Sequence, residues 1–138
     1  MVKRLKINLD DFAYSNVMER ISRAKVKDSI KGEEIMYFIL YPGNLRKAIG
    51  KNGENVKKAQ EKFSMRIKFV EYSDDCSKFI RNFIYPLKVE EIDTSGEEIL
   101  IKDSNRKTKS LLIGRNARNL KVLNEVVGRY FSKTVKVI

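Results

Sequence analysis

Apolar residues recur along this chain in two alternating rhythms, and the same order of rhythms occurs twice. Phe12, Val17, Met18 and Ile21 are spaced as the inward face of a helix, and Phe79, Ile80 and Phe83 repeat that face before Pro86 stops it. Asp10 or Asp11 is the expected N-cap of the first helix, and Asp74 or Asp75 that of its counterpart. A strand follows each helix, over about 24–29 and 87–93. A turn at Lys31-Gly32 or Ser95-Gly96 leads into a second strand, 33–41 or 97–103. The run Ile35-Met36-Tyr37-Phe38-Ile39-Leu40 is apolar almost throughout, as expected of a strand buried on both faces near the middle of a sheet. Pro42-Gly43 ends it. A short helix comes next (44–49; about 106–113), then a loop, a longer helix (54–62; 117–131) and a closing strand (65–72; 134–138). Each copy thus reads α-β-β-α-α-β, an α+β arrangement.

The duplication is explicit in the residues. At an offset of 64, Asp10-Asp11 falls on Asp74-Asp75, Gly32-Glu33-Glu34-Ile35 on Gly96-Glu97-Glu98-Ile99, and Ile49-Gly50-Lys51-Asn52 on Ile113-Gly114-Arg115-Asn116. Asn55 and Lys57 fall on Asn119 and Lys121 at the same offset. Phe63-Ser64 matches Phe131-Ser132 only at 68, which places four extra residues in the second copy before its last strand. Four residues is about one helical turn, an insertion that keeps a buried face in phase. The expected division is a basic segment 1–9, a first domain 10–73 and a second domain 74–138. No Pro/Gly/Ser-rich linker separates the two, so they are expected to pack in a fixed relative orientation.

Charge narrows the partner. The 138 residues carry a formal +11, with a pI near 9.8. Each copy has a net +4 and the first nine residues add +3. A polyanion is the leading partner, nucleic acid before an anionic membrane surface. Lys3, Arg4 and Lys6 precede only a broken apolar pattern, without the core of a signal peptide, and no run reaches membrane-spanning length. One cysteine, Cys76, fits a reducing cytosolic setting and reads as helix filler before a reactive thiol. Histidine is absent, which removes the commonest general base and metal ligand. No catalytic residues, metal or cofactor are assigned.

The chemistry concentrates at the two loops. Glycine permits unusual backbone angles and a close approach of phosphate, and the helix that follows turns its free N–H groups toward whatever the loop holds. Lys51 and Arg115 add positive charge, and Asn52 and Asn116 can donate to phosphate or sugar oxygens. Arg46, Lys47, Lys57 and Lys58 flank the first loop, with Glu54 opposing, whereas residues 106–121 hold six basic residues and no acid. A lone G-x-x-G is weak, because a helix-turn-helix connection can need glycines for geometry alone. Repetition in one structural frame makes it specific.

This frame, an Ile-Gly-basic-Asn loop between two helices of a β-α-α-β unit, resembles the KH domain. The added leading helix and strand resemble its type II, prokaryotic form, with helices on a small mixed three-stranded sheet. The resemblance implies binding of single-stranded RNA in two grooves. One is bounded by Ile49, Gly50, Lys51, Asn52, Gly53, Asn55 and the strand around Arg66 to Phe69, the other by Ile113, Gly114, Arg115, Asn116, Ala117, Arg118, Lys121 and the last strand. Two type II modules in succession are similar to the KH pair of the NusA family of transcription factors. With nothing else attached, the expected match is its short archaeal form. A nascent transcript and RNA polymerase or the elongation complex are the implied partners.

One position departs from the pattern: Ala117 stands where the family has glycine. Its Cβ narrows the approach of a phosphate, unless helical angles there let alanine fit and stiffen the helix start. Tyr37, Tyr41, Tyr72, Tyr85 and Tyr130 read as core or interface residues before base-stacking platforms. Glu33-Glu34 and Glu97-Glu98 read as solvated turns before a metal or acid/base site. The rival functions are a KH protein of ribosome assembly or rRNA handling, an RNA-processing enzyme, and a basic adaptor of low specificity.

Overall fold

In this computed structural model the described residues are 9–138, with side chains from 12 onward. They divide into two compact units, the first ending at Tyr72 and the second running Ser73–Ile138. Each has the order α-β-β-α-α-β, with helices on a mixed three-stranded sheet, so the α+β architecture of two KH-like modules holds. The expected basic segment 1–9 lies, but for Leu9, outside the described residues.

The first unit comprises α1 (Leu9–Ser22), β1 (Val26–Lys31), β2 (Ile35–Leu40), α2 (Leu45–Ile49), α3 (Glu54–Phe63) and β3 (Arg66–Glu71). β2 is central, antiparallel to β1 and parallel to β3. Met36 through Leu40 are all buried, as the unbroken apolar run required. Met36, Phe38 and Leu40 meet Met18, Ala24, Val26, Ala48 and Ala59, with Tyr14, Phe63 and Phe69 at the margin. The Phe38 ring lies 5.4 Å from that of Phe63 and 6.1 Å from that of Phe69.

Two expectations at the start of the chain need correction. The backbone of α1 already begins at Leu9, so Asp10 and Asp11 stand inside its first turn and not at the cap; their side chains are outside the described set. Phe12 is 62% exposed. The buried stripe of α1 runs through Ser15, Met18 and Ser22, and Phe12, six positions before Met18, projects well off it. β1 also starts later than expected, because the Ala24 N–H donates to Ser22 Oγ and the Val26 N–H to the Glu19 carboxylate, fixing the connection before the ladder begins.

The second unit comprises α4 (Cys76–Ile84), β4 (Glu91–Asp93), β5 (Glu98–Lys102), α5 (Arg106–Ile113), α6 (Arg118–Phe131) and β6 (Thr134–Val137). β5 is central, with β4 antiparallel and β6 parallel. Asp75 caps α4, its carboxylate accepting from the Lys78 N–H. α6 has 14 residues against 10 in α3, the whole of the four-residue insertion. The matched ends then behave alike. Phe131 meets Phe79 of α4 at 5.8 Å as Phe63 meets Tyr14 of α1 at 5.7 Å, and Ser64 and Ser132 both close their helices in left-handed geometry, φ 54° and 55°. β4 is shorter than the expected 87–93, since the Leu87 N–H turns back to the Ile84 carbonyl and the Glu90 N–H is taken by the Asp103 carboxylate.

Candidate nucleic-acid interface

Each loop is placed by a helix that gives little to the core. Among α2 side chains only Ala48 is buried, and among α5 side chains only Leu112. Most of the remaining residues are exposed, including Arg46, Lys47 and Ile49 in the first unit. α2 is held by its neighbours: it packs beside α3 and against β3, and Asn44 just before it bridges to the start of β1 by accepting from the Lys25 N–H at 2.9 Å. In the second unit Asp103 does the equivalent work, accepting from the N–H of Glu90 and of Asn105. Asn105 itself caps α5 by accepting from the Thr108 N–H.

The loops are near copies in backbone angle. Gly50 has φ 80°, ψ 169°, and Gly114 has φ 76°, ψ 170°, a region open essentially to glycine alone. Asn52 and Asn116 are left-handed, both with φ 56°. The fourth positions are left-handed too, Gly53 at φ 74° and Ala117 at φ 59°. The expectation of helical angles at Ala117 does not hold: the residue is left-handed. A Cβ added at the matching Gly53 would meet nothing within 4 Å. The departure therefore costs backbone strain and does not disturb packing.

The two glycines of the first loop have different jobs. A Cβ at Gly50 would lie 2.7 Å from Asn55 Nδ2, and one at Gly114 2.6 Å from Asn119 Nδ2. Asn55, expected at the ligand face, is instead tucked between the helices, 9% exposed, donating to the Lys47 carbonyl at 3.0 Å. Asn119 donates likewise to the Leu111 carbonyl.

The other named residues lie as follows. Lys51, Asn52, Lys57 and Lys58 are exposed around the first loop, with Glu54 at the first position of α3. Arg115, Asn116 and Lys121 are exposed around the second, while Ile113 and Arg118 are half-buried, Arg118 taking the place of Glu54. Among the described residues, Arg46, Lys47, Lys51, Lys57, Lys58, Arg115 and Lys121 make no ion pair. Lys68, half-buried on β3, has its pKa lowered by burial. Leu45 and Leu111 are exposed on α2 and α5 and were not anticipated; the signal was an apolar residue off the core-facing phase of a short helix. Of the tyrosines, Tyr37 is buried and Tyr130 packs edge-on to Phe79, whereas Tyr85 is 69% exposed and Tyr41 also faces solvent. Lys27, the extra residue at the irregularity in β1, sits over the Tyr41 and Tyr72 rings. Both glutamate pairs are exposed at the starts of the central strands. Cys76 is partly buried and its thiol is pushed up by that burial. Among the described residues no helix is long and apolar enough to cross a membrane.

Fold and loops together define a class: a tandem of two α-β-β-α-α-β modules, each carrying a glycine-started, left-handed loop with a basic residue and an asparagine between two helices. No protein-family model matches the chain. It is 31% identical over 139 residues to a protein of Methanococcus vannielii named "Probable transcription termination protein NusA", a match covering 98% of this chain and 80% of that one. The protein of the same name from Methanocaldococcus jannaschii is 31% identical over 140 residues, covering 98% and 76%. The chain belongs to the archaeal NusA family. A more distant member, from Thermoplasma acidophilum, is 22% identical over 134 residues, covering 95% of this chain and 93% of that one. The crystal structure of APE1850 has the same fold, with a TM-score of 0.76 at 24% identity over 96% of this chain and 100% of that one.

Proposed function

We propose that the chain binds single-stranded RNA through two KH-type modules, catalyses no reaction itself, and acts on nascent transcripts during elongation, pausing and termination in contact with the transcription machinery. The observation that carries this reading is the repeated loop. Two glycine-started loops with matching backbone angles each present a basic side chain and an asparagine to solvent, beside further exposed cations: Arg46, Lys47, Lys57 and Lys58 in the first unit and Lys121 in the second. A phosphate placed there meets loop amides, mobile positive charge and the start of a helix, which together suit a sugar-phosphate backbone without reading its sequence. The exposed Leu45, Ile49 and Leu111 offer apolar contact to bases beside that backbone. The transcriptional role rests on family membership, since the relatives are named as transcription termination proteins.

The test is charge reversal of Lys51 and Asn52 to Asp, and separately of Arg115 and Asn116, with binding to a short fluorescent single-stranded RNA followed across a salt titration. Each folded variant should bind about tenfold or more weakly than the parent, with a shallower dependence on salt. Parent-like binding by both variants contradicts the proposal.

A further inference from the structure

The end of α2 leaves a carbonyl that would ordinarily be capped by the loop itself. In a continuing helix the Lys47 carbonyl would accept from the Lys51 N–H, four residues on. The chain breaks away at Gly50, and the Asn55 amide takes that place at 3.0 Å. The substitution requires a glycine, because a Cβ at position 50 would occupy the space of the Asn55 amide. The Lys51 N–H then has no acceptor among the described residues, while the Gly53 N–H closes the loop on the Gly50 carbonyl. The same four groups recur in the second unit. Asn119 Nδ2 donates to the Leu111 carbonyl at 3.0 Å, Gly114 leaves room for it, the Ala117 N–H closes on the Gly114 carbonyl, and the Arg115 N–H has no acceptor among the described residues.

We infer that Asn55 and Asn119 are positioning residues, each replacing a loop amide at the end of the preceding helix so that the N–H of Lys51 or Arg115 is released to donate to an RNA phosphate. This rests on the RNA-binding reading above. The same residue that satisfies the helix end therefore sets the donor that the ligand meets. Neither asparagine need touch the RNA.

The test uses the full chain carrying Asn55→Ala and Asn119→Ala, separately and together, with a labelled single-stranded RNA dodecamer of mixed sequence and amide hydrogen exchange of the free and bound protein. In the parent the Lys51 and Arg115 amides should exchange fast when free and be protected by RNA. Each single variant should retain its thermal midpoint within a few degrees, bind about fivefold more weakly, the scale of one lost hydrogen bond, and lose RNA protection at its own loop amide. A simple packing role would not move that amide alone. Asn55→Asp, close to isosteric but without the donor, serves as the second variant and should show the same loss. Parent-like affinity and protection in the variants overturn the inference. So does loss of folding in both Asn55→Ala and Asn55→Asp, which would make the residue a determinant of the fold. The underlying reading fails separately: it is refuted when the parent binds no RNA or when charge reversal of Lys51 and Asn52 leaves binding unchanged.

Discussion

Replacing Ala117 by glycine should stabilise the second unit, although it removes a methyl group and touches nothing else. Ala117 sits at φ 59°, ψ 23°, and a non-glycine residue in that left-handed region costs about 1–2 kcal/mol. Glycine loses about 0.4–1 kcal/mol of that relief, because the unfolded chain gains conformational freedom. No packing is lost, given that a Cβ at the matching Gly53 points into open space. The net expectation is a gain of roughly 0.5–1 kcal/mol, or about 2–8 °C in the midpoint of a unit this size. Gly53→Ala in the first unit should lose a similar amount. Urea unfolding followed by circular dichroism, run on parent and both variants, measures each effect. A destabilising Ala117→Gly, or a Gly53→Ala that leaves the transition unmoved, would refute the reasoning and mean that the fourth loop position is not held left-handed in solution.

The remaining predictions concern stability and reactivity. Asn124 accepts from the Val135 N–H and donates to the Val135 carbonyl, anchoring β6 to α6, so Asn124→Ala should cost about 1–2 kcal/mol in chemical denaturation, the scale of two partly buried hydrogen bonds. Ser64→Gly and Ser132→Gly should each stabilise by a few tenths to about 1 kcal/mol, because both serines close their helices left-handed without a favouring side chain. The Cys76 thiol, pushed up mainly by burial and also by Asp75 against an opposing effect of Lys133, should alkylate more slowly than a free thiol at neutral pH. Its folded pKa exceeds the unfolded value, so its contribution to stability is fully present below the unfolded pKa and falls as pH rises through the folded one. Alkylation rates and denaturation midpoints measured as pH is raised through the alkaline range check both signs.

Much of this was written in the spacing of residues. The shift from an offset of 64 to one of 68 located the extra turn of α6, because a helix that must keep Phe131 against Phe79 can grow only by whole turns. The buried central strand followed from an apolar run that no half-exposed strand would carry. What stayed hidden depends on direction, which composition does not record. Phe12 looked like core, yet the helical phase set by Met18 turns it to solvent. Asn55 and Asn119 stood out because they recur beside the loops, but that each donates its amide to the carbonyl of Lys47 or Leu111 was not legible from spacing. The left-handed angles of Ala117 were hidden too, since a sequence does not record where a helix begins within a loop. Asn124 lies in the stretch of α6 where the offset changes, and no matching asparagine in the first copy draws attention to it.

The central claim is that both loops hold RNA, and amide chemical-shift mapping by NMR tests it most directly. On titration with short single-stranded RNA, the resonances of Gly50 to Gly53 and of Gly114 to Ala117 should shift together, with the flanking amides of α2, α3, α5 and α6 responding less. Shifts confined to other surfaces, with both loops unmoved at saturating RNA, would contradict the account.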